Sequence, residues 1–341
     1  MTPDENAKIP MLEPYTVKKV IGALSETEDY NHRMLGVPEM WKKTKGRGAK
    51  VVVLDTGCPR HVDLNVSGFR NFTDDESPYD EVCGHSTHVC GIIAALVNGI
   101  GVRGIAPECE LYCGKVLDDS GTGSLTSIAD GIRWAVDVVH ADVINMSLGC
   151  PPVNAYSPTL VAACRHAYKN GCVMCCAAGN DAGAVNAPAN LPTTIAVAAV
   201  DKDREKAYFT CHGSEVDFAA GGVDVYSTYL NNQYAELSGT SMATPVITGV
   251  VALVVAEAKA KGEKLTPEQV YQRLVSISVD VDQPGKDEYT GHGIPVFTSQ
   301  AAVEPEKKSC CSEDSCESEC GETNGFWAAL ARFIKSLFGR K

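Results

Sequence analysis

Nowhere in this 341-residue chain does an apolar run reach the ~18–20 residues that a membrane-spanning helix needs. Positive charge is also in short supply. The 30 Lys and Arg are outnumbered by 43 Asp and Glu, giving a formal net charge of −13. That argues against nucleic acid as the main partner, because affinity there comes chiefly from neutralising phosphates. The start, Met1-Thr2-Pro3-Asp4-Glu5-Asn6, has neither a basic n-region nor an apolar h-region, so no secretory signal is visible. A processed chain seldom keeps its initiator Met, so a cytoplasmic product is expected. No internal repeat is present. What the chain does have is 44% hydrophobic residues, enough for a large core and too many for a mainly disordered chain.

The 15 cysteines would mean disulfides in a small secreted protein, but in a long chain without a signal they are expected to be reduced. Eleven lie between Cys58 and Cys211, several inside apolar runs, where they act as small buried hydrophobes. Cys58 and Cys90 lie close in sequence to Asp55 and His85, and packing roles are expected for both. Cys310, Cys311, Cys316 and Cys320 sit in a polar tail at spacings that match no zinc pattern.

Short β-branched runs recur at residues 51–54, 111–117, 143–148, 172–178 and 194–200. Such continuous runs suit strands buried on both faces. Helical patterns lie between and after them, at 87–96, 125–139, 159–169 and 242–260, and another helix starts at Thr266-Pro267. This alternation predicts an α/β fold: a doubly wound, mostly parallel sheet with helices on both faces. Residues 1–30 are polar and read as an N-terminal extension, and 31–303 as the globular domain. Residues 304–325 form an acidic, Cys-rich linker. Residues 326–341 read as a basic amphipathic helix, with Phe326, Leu330, Phe333, Ile334 and Leu337 at the spacing of one face. That helix suits an anionic membrane surface, a partner, or the acidic protein body.

Three segments carry chemistry. Asp55-Thr56-Gly57 follows the 51–54 strand, where open α/β sheets place their sites, although alone it describes a turn. Gly84-His85-Ser86-Thr87-His88 runs into an apolar helix. One His there can serve as a general base or simply be held at the helix start, and no third ligand supports a metal. Ser238-Gly239-Thr240-Ser241 opens the 242–260 helix. A Ser there is ordinarily an N-cap, but it also stands where a developing oxyanion would be stabilised.

In the order Asp, His, Ser, these segments resemble the subtilisin-like serine proteases. A fourth segment, Ala177-Ala178-Gly179-Asn180, resembles that family's oxyanion segment. The likeness runs from about residue 38 to 303 and is closest to the intracellular bacterial branch. It implies Ser241 as nucleophile, His85 as general base and acid, Asp55 as the group orienting the imidazole, and Asn180 as oxyanion donor. His88 is read as a structural residue. The likeness also implies that Ser120, Gly121 and Gly123 on one side, and Ser147, Leu148 and Gly149 on the other, flank an extended polypeptide substrate by strand addition. A catalytically weak or inactive scaffold of the same fold is the rival reading. A dimer is admitted but not required.

The resemblance further implies a Ca²⁺ loop. Asp63 supplies a carboxylate, Asn98 a carboxamide oxygen, and Leu96, Ile100 and Val102 backbone carbonyls, with Asn31 as a further amide oxygen. An ordinary glycine loop is the alternative. Ser86 and Val246 depart from the residues usual beside the catalytic His and after the helix proline. In the intracellular branch the N-terminal extension lies across the active site and delays activity. Ile9-Pro10-Met11 resembles its key stretch, so this extension is expected to act as the chain's own inhibitor, with Pro10 keeping its bonds out of reach of Ser241.

Overall fold

The computed structural model describes residues 4–22, 25–75, 81–152 and 157–298. The linker at 304–325, with its four cysteines, and the helix expected over 326–341 lie outside them. In chain order the described elements begin with β1 (Ile9–Pro10), β2 (Thr16–Ile21), α1 (Tyr30–Leu35), α2 (Val37–Trp41), β3 (Lys50–Asp55) and β4 (Val66–Asn71). Then come α3 (His85–Ala94), β5 (Glu110–Lys115), β6 (Thr122–Gly123), α4 (Leu125–Trp134), β7 (Val143–Met146) and α5 (Pro158–Lys169). The rest are β8 (Val173–Ala177), β9 (Ile195–Val200), β10 (Val216–Gly221), β11 (Val225–Tyr229), β12 (Gln233–Ser238), α6 (Thr240–Ala260), α7 (Pro267–Ile277), β13 (Ser278–Val279) and β14 (Ile294–Pro295).

Seven strands form one sheet in the order β10-β9-β8-β7-β3-β5-β4, with every pairing parallel. β8 and β9 are buried along their whole length and β3 is buried from its second residue, which is why each appears in the sequence as an unbroken apolar run. Helices α3 and α6 pack together, as do α4 and α5, and both pairs lie against the sheet. Strand order reverses around β3, whose neighbours are β5 and β7. The carboxyl ends of β3 and β7 therefore open on a switch point, where this architecture places its chemistry.

Helix α6 corrects one expectation. Within Thr240–Ala260 an 18-residue window has a mean hydropathy of 1.7, long and apolar enough to cross a membrane. Every residue of that apolar window is buried inside the protein, so its composition is that of a core helix. No disulfide joins the eleven described cysteines, and nine of them are buried.

The N-terminal residues are more structured than their polarity indicated. β1 pairs antiparallel with β6, Ile9 opposite Gly123. β2 adds an edge strand to a second sheet in the order β11-β12-β2. Glu5 accepts from Ser157 Oγ at 2.8 Å and from the Thr159 N–H at 3.0 Å, so a carboxylate sits at the positive end of α5.

Candidate active site

Asp55 closes β3 and His85 opens α3. Gly84 caps that helix at φ +79, and a Cβ there would come within 2.3 Å of the Tyr229 ring. Only glycine lets the chain turn there and set His85 over the sheet. His85 Nδ1 lies 2.8 Å from Asp55 Oδ1, with both residues fully buried. The Thr56 N–H (2.7 Å) and Thr56 Oγ1 (3.1 Å) donate to the same oxygen. Asp55 Oδ2 and His85 Nε2 are buried without a hydrogen-bond partner among the described residues. This leaves the far side of the imidazole available for a proton. Ser86 does not crowd the site: it is fully buried, and its Oγ donates to the Gly57 carbonyl at 2.7 Å, tying the helix start to the Asp55 turn.

Ser241 is the second residue of α6, not its N-cap, a position held by Gly239. Four residues on, Pro245 has no N–H, so the Ser241 carbonyl has no partner within the helix. Ser147 Oγ donates to that carbonyl at 2.8 Å, and Ser241 Oγ donates to the Ser147 carbonyl at 3.2 Å. This reciprocal pair fastens the end of β7 to the start of α6. The fourth group is fixed from the same helix. Thr240 N–H and Thr240 Oγ1 each donate to Asn180 Oδ1 at 2.8 Å. With its oxygen held, the Asn180 amide presents Nδ2 outward.

The group that Nδ2 meets belongs to the extension. It donates to the Pro14 carbonyl at 2.9 Å. Tyr15 follows, its ring centroid 5.0 Å from that of His85 and its OH donating to the Cys83 carbonyl at 3.2 Å. Upstream, the Met11 and Leu12 N–H groups donate to the Gly121 carbonyl at 3.1 and 3.0 Å, and the Gly149 N–H donates to the Met11 carbonyl at 2.9 Å. Between them Glu13 turns into a pocket, where Asn186 Nδ2 donates to its Oε1 at 2.7 Å. Burial there, aided by the nearby Asp181 charge, raises the Glu13 carboxyl above its ordinary pKa. The expectation for Ile9-Pro10-Met11 is thus corrected in register. Pro10 lies opposite Thr122 in the β1–β6 pair, and the proline at the catalytic groups is Pro14.

Gly121, Gly123 and Gly149 thus flank the chain's own extended N-terminal residues. Ser120 is engaged elsewhere: its N–H and Oγ both donate to Asp118 Oδ1, shaping the turn. Leu148 is wholly buried. His88 is structural: Nε2 lies 3.0 Å from the carbonyls of Val225 and Ala235, and burial lowers its pKa to about 3.

The calcium candidates divide. Asp63 is buried, its pKa raised to about 6 chiefly by burial, and its Oδ1 accepts from Asn98 Nδ2 at 2.8 Å. The Gly99 and Gly101 carbonyls accept from Glu26 and Thr27 N–H groups. The alternate carbonyls at Leu96, Ile100 and Val102 accept no backbone bond from the described residues. No cluster of three or more His, Cys, Asp or Glu able to hold a metal occurs among the described residues. Asn98 Oδ1 accepts from the Ile100 N–H at 3.1 Å and Asp63 Oδ2 from the Tyr234 OH at 3.2 Å, so a bound cation would displace these partners. By residue type the donor set is one carboxylate, one carboxamide and backbone carbonyls, the kind a hard cation such as Ca²⁺ takes. Asn31 is not part of it. Its side chain is spent on Asp29 Oδ1 (2.8 Å) and on the Gly221 carbonyl and N–H (3.3 and 3.1 Å). Glu26 is the N-terminal residue that reaches this loop, accepting from the Asn98 and Gly99 N–H groups at 2.7 and 2.8 Å.

Sequence reasoning missed Glu13, Pro14, Tyr15, Asn186, Thr240 and Glu26. A second Xaa-Pro pair, Glu13-Pro14, was the visible signal for the first three; nothing local marks the others.

Comparison with known proteins agrees with this geometry. Residues 46–293 match the model of the subtilase family, peptidase S8. The chain is 45% identical over 240 residues to a thermostable alkaline protease of Halalkalibacterium halodurans, covering 70% of this chain and 64% of that protein. It is 46% identical over 211 residues to subtilisin Savinase of Lederbergia lenta, covering 61% and 77%. Over 256 residues it is 41% identical to subtilisin DY of Bacillus licheniformis, covering 73% and 89%. The match thus spans less than two thirds of the first of these relatives and most of the other two. Because the matched region contains the strand end, the two helix starts and the loop that carry Asp55, His85, Ser241 and Asn180, the chain belongs to the subtilase family of serine peptidases.

Proposed function

We propose that the chain is a serine endopeptidase that hydrolyses peptide bonds in polypeptides through an acyl-enzyme. The observation that carries this is the buried 2.8 Å contact between His85 Nδ1 and Asp55 Oδ1, which leaves Nε2 without a partner among the described residues. In the reaction Ser241 Oγ turns from the Ser147 carbonyl toward Nε2, gives up its proton there and attacks the substrate carbonyl carbon. Asn180 Nδ2 and the Ser241 N–H receive the oxyanion. His85 then protonates the leaving amine, and water repeats the sequence on the acyl ester. Asp55 stays ionised, holding the tautomer that keeps Nε2 basic. The Asp63 loop would hold Ca²⁺, which when bound supplies stability rather than chemistry; Asp63, Asn98 and the carbonyls of Leu96, Ile100 and Val102 would be its ligands.

The extension is the first occupant of this site and would act as its inhibitor. It follows the substrate path along Gly121 and Gly149 and covers His85 with Tyr15. The test is labelling by a fluorophosphonate probe. Labelling abolished by Ser241→Ala, and faster in a chain lacking about the first 20 residues, is expected. A chain that never labels, in either form, is an inactive scaffold.

A further inference from the structure

We propose that the pocket filled by Glu13 selects a glutamine side chain in the residue preceding the scissile bond, with Asn186 as the specificity-determining residue. The inference rests on the peptidase reading and names the substrate class of that same site.

The pocket opens beside Asn180. The Asn180 backbone lies beside the Glu13 carboxylate, and its side-chain amide donates to the Pro14 carbonyl, while Asn186 donates to Glu13. In a substrate without proline at that point, one residue can serve both donors, its carbonyl on Nδ2 and its side chain in the pocket. Proline divides the two between positions 13 and 14. Glu13 therefore reports what the pocket accepts.

Two features of the pocket define that ligand. Asn186 offers an amide donor 2.7 Å from Glu13 Oε1, and both residues are only 8% exposed, so the donor has little access to water. An apolar side chain would leave it unpaired. The walls are glycines where the contact is tight. A Cβ at Gly149 would stand 2.5 Å from Glu13 Oε1, and one at Gly179 would stand 2.6 Å from Asn186 Nδ2. The pocket thus has the length of a five-atom polar side chain ending in an acceptor. Between the two residues of that shape, charge decides. Burial and the Asp181 carboxylate both oppose a second negative charge, as the raised Glu13 carboxyl records. A carboxamide has the same acceptor without the charge.

The test uses the full-length chain and tetrapeptide p-nitroanilides differing only in the last residue: Gln, Glu, Leu, Phe and Lys. Gln is expected to exceed Leu and Phe by about 10–100-fold in kcat/KM, with Glu between them at neutral pH. In Asn186→Leu the order of Gln and Leu reverses, while fluorophosphonate labelling of Ser241 shows the variant is folded. A profile led by Phe or Leu in a chain that labels overturns the specificity and spares the peptidase reading. So does a profile unchanged by Asn186→Leu. Absence of both labelling and cleavage, in the full-length chain and in the chain lacking about the first 20 residues, overturns both.

Discussion

Glu13 is where the inhibitory role of the extension can be tested with opposite-signed effects. In the docked state its carboxyl accepts from the amide of Asn186, a residue only 8% exposed. Glu13→Ala removes the acceptor and strands that amide only while the extension is docked, because water reaches the pocket once it leaves. The cost falls on the closed state alone, about 1–3 kcal/mol. That shifts the balance between closed and open chain roughly 5–150-fold. Peptidase activity of the full-length variant is expected to rise by such a factor, up to the level of the chain without its first 20 residues. Glu13→Gln goes the other way. Burial raises the docked carboxyl's pKa, so docking is strongest below the ordinary glutamate range and weakens as pH rises through the raised value. Glutamine keeps the acceptor and never ionises, so it docks above that range as the protonated acid does below it. At neutral pH Glu13→Gln is therefore expected to be less active than wild type, and its inhibition loses this pH dependence. Steady-state kcat/KM on one peptide across pH measures all of this. Equal activity of full-length and shortened chains, or shifts of the same sign in both variants, would refute the reasoning.

Asp55→Asn is expected to lower kcat by about 10⁴, because an amide in place of the carboxylate disturbs the tautomer that keeps His85 Nε2 basic; kinetics on the same peptide check it. Asn180→Ala should cost about 10²–10³ in kcat, the loss characteristic of this donor in subtilisin-type enzymes, with little change in KM for a short substrate. The same variant frees the Pro14 carbonyl, so labelling of Ser241 is less dependent on the extension. Chelation of Ca²⁺ is expected to lower the melting temperature by about 5 °C, the effect of losing an ion present at ~100 times its Kd. Asp63→Asn should abolish the response to chelator in thermal scans.

The fold was legible where burial is two-sided. Residues 51–54, 173–177 and 195–200 read as strands because no polar residue interrupts them. β4 and β10 escaped notice for separate reasons. β4 is an edge strand carrying Ser67, Gly68 and Arg70. β10 contains Asp217, whose carboxylate is spent on the Ala196 N–H, Tyr271 OH and Lys286 Nζ. The candidate reacting groups stood out in the sequence because their chemistry would fix both residue type and neighbours. The residues that orient them did not. Thr240 holds Asn180 across 60 residues, and Asn186 meets Glu13 across 173. Such pairs are made by tertiary proximity and leave no local pattern. Asn31 was misassigned because an asparagine can be spent in many ways, and here the N-cap Asp29 claims it. Pro10 and Pro14 are alike in sequence, and only registration against Gly121 and Gly149 separates them.

That registration leads to the strongest consequence of the fold. Glu13 fills the pocket while the next residue supplies the carbonyl at Asn180, so no single residue is seated as a substrate would be. The bond after Glu13 is also one to a ring nitrogen with fixed φ and no N–H. In Pro14→Ala that constraint is gone. Residue 13 can then place both its side chain and its carbonyl on Asn180 and Asn186, and the extension becomes a substrate. The variant is expected to cut itself after Glu13, giving a chain whose mass and N-terminal sequence begin at position 14. The rate should be independent of protein concentration, and cleavage absent when Ser241→Ala is added. A Pro14→Ala chain that stays intact with wild-type activity would mean that proline does not divide the site, and that something other than registration protects the extension.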